Sequence, residues 1–246
     1  MQKRGLSQEG LKMIACLTML VDHIGATIIL TQLRQSVGAE KAMLLEWYEI
    51  IRTVGRISFP IFCFLLSEGA ARTHDPKRYG LRLLIAAVLS EIPYDLAFYG
   101  EINWLHQNVM VTLLLGFVML RMMGKCRGWL WKLLIILPFA VLAEWLCADY
   151  GAEGIWVIAV FALTREVPYK HLLQFFLLWF IFSPSHLMIL SWLNQFTITV
   201  QEWAALAVLP IALYDSRKVT KSKAVQWAFY LFYPAHLMGL YLLQTI

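Results

Sequence analysis

The sequence has few charged residues and few cysteines. Charged residues make up 15% of its 246 residues, hydrophobic residues make up 60%, and the mean hydropathy is +0.63. Soluble domains carry about 25% charged residues, so this composition indicates an integral membrane protein without a separate soluble module. The four cysteines form no CxxC pair, which argues against a disulfide framework or a cysteine metal site. Strand-like alternation is absent, so the predicted spans are helical.

Apolar runs of about 20 residues recur along the chain, long enough to cross a hydrocarbon core of about 30 Å. They predict an all-α, polytopic transmembrane helix bundle that forms one domain over residues 1–246. The predicted spans number about nine: 11–31, 50–69, 82–100, 108–123, 129–148, 152–165, 171–193, 201–214 and 225–245. Separate spans at 171–182 and 185–198 would make ten, but that count would move a basic loop to the outer side.

Basic residues concentrate in alternate predicted loops. The basic loops contain Arg72, Lys77, Arg78 and Arg82; Arg121, Lys125, Arg127 and Lys132; Arg165 and Lys170; and Arg217, Lys218, Lys221 and Lys223. The intervening loops carry Glu101 and His106, or Asp149 and Glu153. The positive-inside rule therefore predicts a cytoplasmic N-terminus. Topology and anionic lipid explain the net charge of +5, so nucleic acid is not an expected partner.

Ionisable residues lie near mid-depth in several predicted spans. They are Asp22 and His23 in the first span, Arg56 in the second, Glu91 and Asp95 in the third, and His236 in the last. A charged group at the bilayer centre costs about 2.5–3.5 kcal/mol on insertion scales and usually faces the bundle interior. This layer of ionisable residues near mid-depth therefore predicts a buried reaction centre or a polar pathway.

Each member of this layer also has a structural interpretation. His23 and His236 could be helix–helix hydrogen bonds, and Arg56 with Glu91 or Asp95 could be a charge pair that holds helices together. Glu68 and Arg72 are four residues apart and could pair along one helix.

Three prolines fall close to these ionisable residues. Pro60, Pro93 and Pro234 cannot donate to the carbonyl four residues earlier, so each frees a backbone acceptor and should bend its helix. Within a membrane such carbonyls need partners or water. The prolines therefore favour a wet central cavity, with ordinary kinks as the simpler alternative.

Several short motifs recur in a distinctive order. They are Leu11-Lys12 to Asp22-His23-Ile24-Gly25, Gly55-Arg56-Ile57-Ser58-Phe59-Pro60, Leu65-Leu66-Ser67-Glu68-Gly69, Tyr79-x-x-Arg82, Ser90-Glu91-Ile92-Pro93-Tyr94-Asp95, Asn108-Val109-Met110-x-Thr112 and Tyr233-Pro234-x-His236. In this order the chain resembles the TraX family of membrane proteins, named for a conjugative-pilus protein that N-acetylates pilin. It is more distantly similar to the acyltransferase family 3 membrane enzymes, which carry an intramembrane histidine in the first helix and an arginine-rich segment, comparable to His23 and to the stretch from Ser67 to Arg82.

The resemblance implies a bacterial inner-membrane enzyme that transfers an acyl group, commonly acetyl from acetyl-CoA, without a metal. The expected acceptor is an amine or a hydroxyl, on a pilin N-terminus, a glycan or a small molecule. The expected phosphate-binding residues for the coenzyme are Arg72, Lys77, Arg78 and Arg82.

The expected roles at the reaction centre follow from the same resemblance and from general acid–base chemistry. His23 would act as the base or accept the acyl group itself. Asp22 or Glu91 would accept its other ring N–H. Arg56 would neutralise Glu91 or stabilise the oxyanion. The candidate substrate-side and orienting residues are Glu68, Asp95, Asn108 and His236.

Three other classes of protein fit parts of the pattern. A transporter or proton relay would place the same polar layer at the midplane, although paired halves are not visible. A haem carrier could use His23, His171, His186 or His236 as ligands. A scaffold for pilus assembly would leave the cost of the buried layer unexplained.

Overall fold

The structure is a computed structural model that describes residues 5–183, 201–216 and 222–245. The predicted all-α class is confirmed, since these residues form helices joined by short turns and no strand. Residues 184–200 and 217–221 lie outside the described part. They include His186, Arg217, Lys218, Lys221 and the whole of the alternative span 185–198.

Eleven α-helices are described, together with a short π-helix at Gly25–Ile29 and a 3-10 turn at Gln201–Ala207. Their bounds are α1 Gln8–Ile24, α2 Leu30–Gln35, α3 Gly38–Gly55, α4 Ser58–Arg72, α5 Pro76–Tyr99, α6 Val109–Met123, α7 Trp129–Trp145, α8 Gly151–Leu163, α9 Lys170–Phe182, α10 Val208–Ala212 and α11 Lys223–Gln244.

Two helical stretches of the described chain are long and apolar enough to cross a membrane. They are Gln8–Gln35, with 28 residues, and Gly38–Arg72, with 35 residues. Large exposed hydrophobic side chains, among them Trp131 and Val141 on α7, are suited to contact with lipid. These features support membrane association. The number of spans and the side on which the N-terminus lies stay predictions.

Pro60 marks a break in the second of these stretches. Helix α3 ends at Gly55 and α4 begins at Ser58, with Arg56 and Ile57 in the turn between them. The predicted local distortion next to Pro60 is therefore confirmed, and it turns Arg56 into the interior.

The predicted span 201–214 differs from a continuous α-helix. Residues Gln201–Ala207 form a 3-10 turn, and only Val208–Ala212 are α-helical. Ala204, Ala205 and Ala207 are fully buried. These small residues allow the turn to pack closely against α4 and α9.

Helix α4 is the central element of the bundle. Most of its residues are buried, and it packs against α1, α6 and α8. Helix α5 packs against α6 and α11, and α11 also contacts α1. Helices α1, α4, α5, α6 and α11 thereby surround a common interior space.

Candidate functional site

A cavity of about 490 Å³ follows one face of α4. The lining residues from this helix recur at helical spacing and are Ser58, Phe59, Phe62, Leu65, Leu66, Glu68, Gly69 and Arg72. At about 1.5 Å per residue, the lining from Ser58 to Arg72 extends for about 21 Å along the helix. The cavity therefore connects two distant groups of polar side chains.

The two ends of the cavity have different chemistry. One end contains Asp22, His23, Arg52, Arg56, Asp149 and Tyr150. The other end contains Lys12, Glu68, Arg72, Arg82, Ser216 and Gln226. We call the first group the histidine end and the second the cationic end.

His23 and His236 form a hydrogen-bonded pair at the histidine end. His23 Nδ1 lies 2.7 Å from His236 Nε2, and the two rings are nearly parallel, with an interplanar angle of 8°. His236 Nδ1 lies 2.7 Å from the Phe232 carbonyl oxygen, which can only accept. His236 therefore donates from Nδ1 and, in its neutral form, accepts at Nε2. His23 must then donate from Nδ1, which leaves its Nε2 lone pair available as a base.

The prediction that Asp22 or Glu91 accepts a hydrogen bond from the His23 ring is wrong. His236, and neither Asp22 nor Glu91, receives the Nδ1–H of His23. Adjacent helical residues point in directions about 100° apart. The Asp22 side chain therefore contacts α3, while the His23 side chain contacts α11. The orienting role expected for His236 agrees with this contact.

Asp22 is held by two arginines. Arg52 Nη1 lies 2.7 Å from Asp22 Oδ2, Arg56 Nε lies 3.1 Å from Oδ1, and Arg56 Nη2 also pairs with Oδ2. Arg56 donates further to Gln201 Oε1 at 2.8 Å. The predicted pairing of Arg56 with Glu91 is therefore wrong, because Asp22 takes the guanidinium.

Glu91, Asp95 and Asn108 form a separate polar cluster that is outside the described lining of the cavity. Glu91 Oε2 accepts from the Asn108 amide side chain, whose nitrogen also donates to the Ala87 carbonyl at 2.9 Å. Asp95 Oδ2 accepts from the backbone amide of Asn103 at 2.9 Å. These contacts join α5 to the loop before α6, and within the cluster Asp95 and Asn108 are fully buried while Glu91 is partly exposed.

The cationic end contains part of the arginine-rich segment. Arg72 pairs with Glu68 at 2.5 Å, as its spacing predicted, and Arg82 lines the cavity with one buried guanidinium nitrogen, Nε, that has no described partner. Lys77 is exposed and lies outside this cavity. Arg78 lines a neighbouring cavity of about 450 Å³, which shares Arg82 with the first.

Four cavity or network residues were missed by the sequence reasoning. Arg52 lies one helical turn before Arg56, so its spacing could have placed it on the same face. Lys12 and Asp149 looked like ordinary residues near span ends. Arg165 reaches Glu68 Oε1 at 3.0 Å and the Ser67 carbonyl at 2.6 Å, a contact across 97 residues that no local pattern reveals.

In the described part of the chain, His23 and His236 are not arranged as the two axial ligands of one haem iron. The 2.7 Å between His23 Nδ1 and His236 Nε2 is a hydrogen-bond distance that leaves no space for iron between these atoms. His171 Nδ1 lies 3.2 Å from Gln174 Oε1 on its own helix. The described residues also hold no group of three or more histidine, cysteine, aspartate or glutamate side chains placed to bind a metal ion.

The fold and cavity define an all-helical protein whose apolar helices surround a histidine pair and a distant cluster of cations. The chain belongs to the TraX family: the family model described as TraX protein matches residues 7–244. The chain is also similar to a Dichelobacter nodosus protein named "probable fimbrial assembly protein FimC", with 25% identity over 242 residues that cover 92% of this chain and 91% of that protein. No solved structure matches the chain. The resemblance to the TraX family that the motifs indicated is thus confirmed.

Proposed function

We propose that this protein is a membrane-embedded acyltransferase that moves an acetyl group from acetyl-CoA to an amine or hydroxyl acceptor. The observation that carries the proposal is the single cavity lined by both His23 and the cations Arg72 and Arg82. Coenzyme A has phosphates at one end and its thiol at the other, so it matches a cavity that is cationic at one end and basic at the other.

The donor would bind with its phosphates at the cationic end. Arg82 offers a buried nitrogen without a described partner, and charge-assisted bonds to phosphate are among the stronger hydrogen bonds. The apolar lining between the ends, including Phe62, Leu65 and Leu66, suits the pantetheine arm. Lys77 and Arg78 would act from outside the main cavity by attracting the anionic donor.

The transfer would proceed by general base catalysis. The acceptor nitrogen or oxygen attacks the thioester carbonyl carbon while His23 Nε2 takes its proton, and a tetrahedral oxyanion forms. The field of Arg52 and Arg56 favours this negative charge. The oxyanion then collapses, the carbon–sulfur bond breaks, and the leaving thiolate receives the proton from His23. The products are the acetylated acceptor and free coenzyme A.

The acceptor class is suggested by the family and by the name of the fimbrial relative. We propose a surface-fibre subunit with a free N-terminal amine as the first candidate, ahead of a glycan hydroxyl or a small amine. The predicted location is the bacterial inner membrane, crossed about nine times, with the cationic end towards cytoplasmic acetyl-CoA.

The proposal is tested with purified protein in proteoliposomes and acetyl-CoA labelled on the acetyl group. His23→Gln should lower transfer and thioester hydrolysis by at least about 100-fold, since general base catalysis contributes about 10²–10⁴. His106→Gln is the matched control, because His106 is exposed and outside the described cavity lining. Near-normal turnover by correctly folded His23→Gln would refute the assignment.

A further inference from the structure

The turn between α7 and α8 has an unusual backbone and a fixed position. Cys147, Tyr150 and Gly151 have positive φ values of 49°, 63° and 40°. Such values are uncommon for residues other than glycine and cluster at functional sites. The Asp149 amide donates to the Gln107 carbonyl at 2.9 Å, and the Gln107 amide donates to the Cys147 carbonyl at 3.1 Å. The turn is therefore held against the end of the loop that precedes α6.

This turn brings Asp149 into the cavity at the histidine end. Asp22, the other carboxylate there, is occupied by Arg52 and Arg56. In the described part of the chain, no lysine or arginine nitrogen lies within 4 Å of the Asp149 carboxylate. Asp149 is therefore the carboxylate of the histidine end that an incoming cation can reach.

Aromatic rings surround this part of the cavity. Phe59 and Tyr150 stack with ring centroids 3.7 Å apart, and Phe98 lies edge-on to His23 at 5.4 Å. All three aromatic side chains line the same cavity as Asp149. A carboxylate in a cavity lined by aromatic rings is a suitable environment for an ammonium ion, because ring quadrupoles attract cations.

We infer that Asp149 binds the amine of the acceptor as an ammonium ion and takes one of its protons before the acyl transfer. The inference rests on the proposed function and assigns its acceptor-side carboxylate. The ammonium ion passes one proton to the Asp149 carboxylate and becomes a neutral amine. That amine attacks the thioester while His23 Nε2 takes the second proton. The thiolate leaves with the proton from His23, and Asp149 returns its proton to water.

The surroundings of Asp149 also favour one kind of amine. Burial raises the pKa of Asp149 from its ordinary 3.8 to about 6, against the opposing effect of Arg56. The charged and titratable groups that interact with it are Asp22, Arg52, Arg56, Tyr94, Tyr99, Tyr150 and Tyr233. An α-amine has a pKa of about 7.7–8.0 and a lysine amine about 10.4. Proton transfer to Asp149 is therefore less unfavourable from a protonated α-amine than from a protonated lysine side chain.

The test uses glycinamide, a small α-amine, with the full-length protein in detergent. Glycinamide should raise the Tm of the wild-type protein by binding the folded state, and Asp149→Asn should abolish this shift. Glu153→Gln should retain it, because Glu153 is a nearby carboxylate outside the described cavity lining. N-Acetylglycinamide, which has no basic amine, should affect all three proteins equally. In the transfer assay, Asp149→Asn should raise the KM for glycinamide at least tenfold and leave the Kd for coenzyme A unchanged.

The outcomes separate this inference from the proposed function. Acetyl transfer with an equal glycinamide shift in wild type and Asp149→Asn would overturn the role of Asp149 and leave the acyltransferase proposal standing. An Asp149-dependent shift without any acetyl transfer would refute the acyltransferase and retain the amine site. If Asp149→Asn does not fold, Asp149→Ser provides the same comparison, since serine keeps the backbone bonds to Gln107 and its hydroxyl can accept from the Tyr150 amide, as the carboxylate does.

Discussion

At the scale of single residues, the His23–His236 pair decides which nitrogen can react. The Phe232 carbonyl orients His236, and His236 in turn orients His23. This chain of two hydrogen bonds leaves Nε2 of His23 as the basic atom. Neither the Phe232 carbonyl nor the neutral His236 ring is a carboxylate, so the basic nitrogen of His23 is oriented by uncharged groups.

His236→Phe should lower kcat by about 10- to 100-fold, by analogy with the loss seen when the hydrogen-bond partner that orients a metal-bound histidine is removed. The KM for acetyl-CoA should stay within about twofold, because His236 is outside the described cavity lining. His236→Gln should restore part of kcat, since its amide oxygen can accept from His23 Nδ1. Equal kcat values for the phenylalanine and glutamine variants would show that the hydrogen bond does not orient the base.

Asp22 presents a different residue-scale case, because two guanidinium groups depend on it. Asp22→Ala should destabilise the protein by about 3–5 kcal/mol, as expected when one partner of a buried ion pair is removed. Thermal unfolding in detergent measures the change. Asp75→Asn is the control, since the pair with Arg78 is exposed and such pairs contribute about 0–1 kcal/mol. Asparagine still accepts from the Arg78 amide as the N-cap of α5, so only the ion pair is lost. Equal losses for the two variants would contradict the buried role of Asp22.

At the scale of helices, the approach of α1 to α3 depends on Gly55. A Cβ atom at Gly55 would overlap the Asp22 side chain, so only glycine allows the two helices this separation. Gly55→Ala should therefore displace the ion pair and lower both stability and transfer.

Gly239→Ala is the matched control for Gly55→Ala, because a Cβ atom there meets open space. Alanine is favoured over glycine in a helix by about 1 kcal/mol, so this variant should be neutral or slightly more stable. Melting temperatures and transfer rates of the two variants should differ clearly. Similar values would show that α1 and α3 can separate without consequence.

The turn between α7 and α8 makes stability depend on pH. Because the folded protein raises the pKa of Asp149 to about 6, protonation favours the folded state. The contribution of the protonated Asp149 carboxyl to the free energy of unfolding is complete below its ordinary pKa of about 4. It is lost as the pH rises through about 6, and the total loss is at most about 3 kcal/mol. Asp149→Asn should therefore be more stable than the wild type at pH 7.5 and similar to it at pH 4. A Tm difference independent of pH would contradict the buried carboxyl.

At the scale of the whole molecule, topology can be tested with native cysteines. Cys126 and Cys147 lie just outside the two ends of α7, and Cys16 and Cys63 are buried. If α7 spans the membrane as predicted, a membrane-impermeant maleimide added to intact cells with a permeable outer membrane should label Cys147 and leave Cys126 unlabelled. Cys147→Ser should remove the label. Labelling of Cys126 under the same conditions would contradict the predicted orientation.

Local features of the chain determined several of its properties. The apolar runs predicted helices, and Pro60 predicted the distortion beside it. The order of short motifs predicted the TraX family. Each of these signals depends on residues that lie close together in the chain, so no knowledge of the packing was needed to interpret them.

Only the tertiary structure decided which polar groups meet. Asp22 and His23 are neighbours in sequence, yet they face different helices, and Asp149 joins them from a turn more than a hundred residues later. Arg165 likewise reaches Glu68 from a distant helix end. Helical periodicity specifies the face on which a side chain lies. The partner on that face depends on how the helices pack, and that packing is a property of the whole chain.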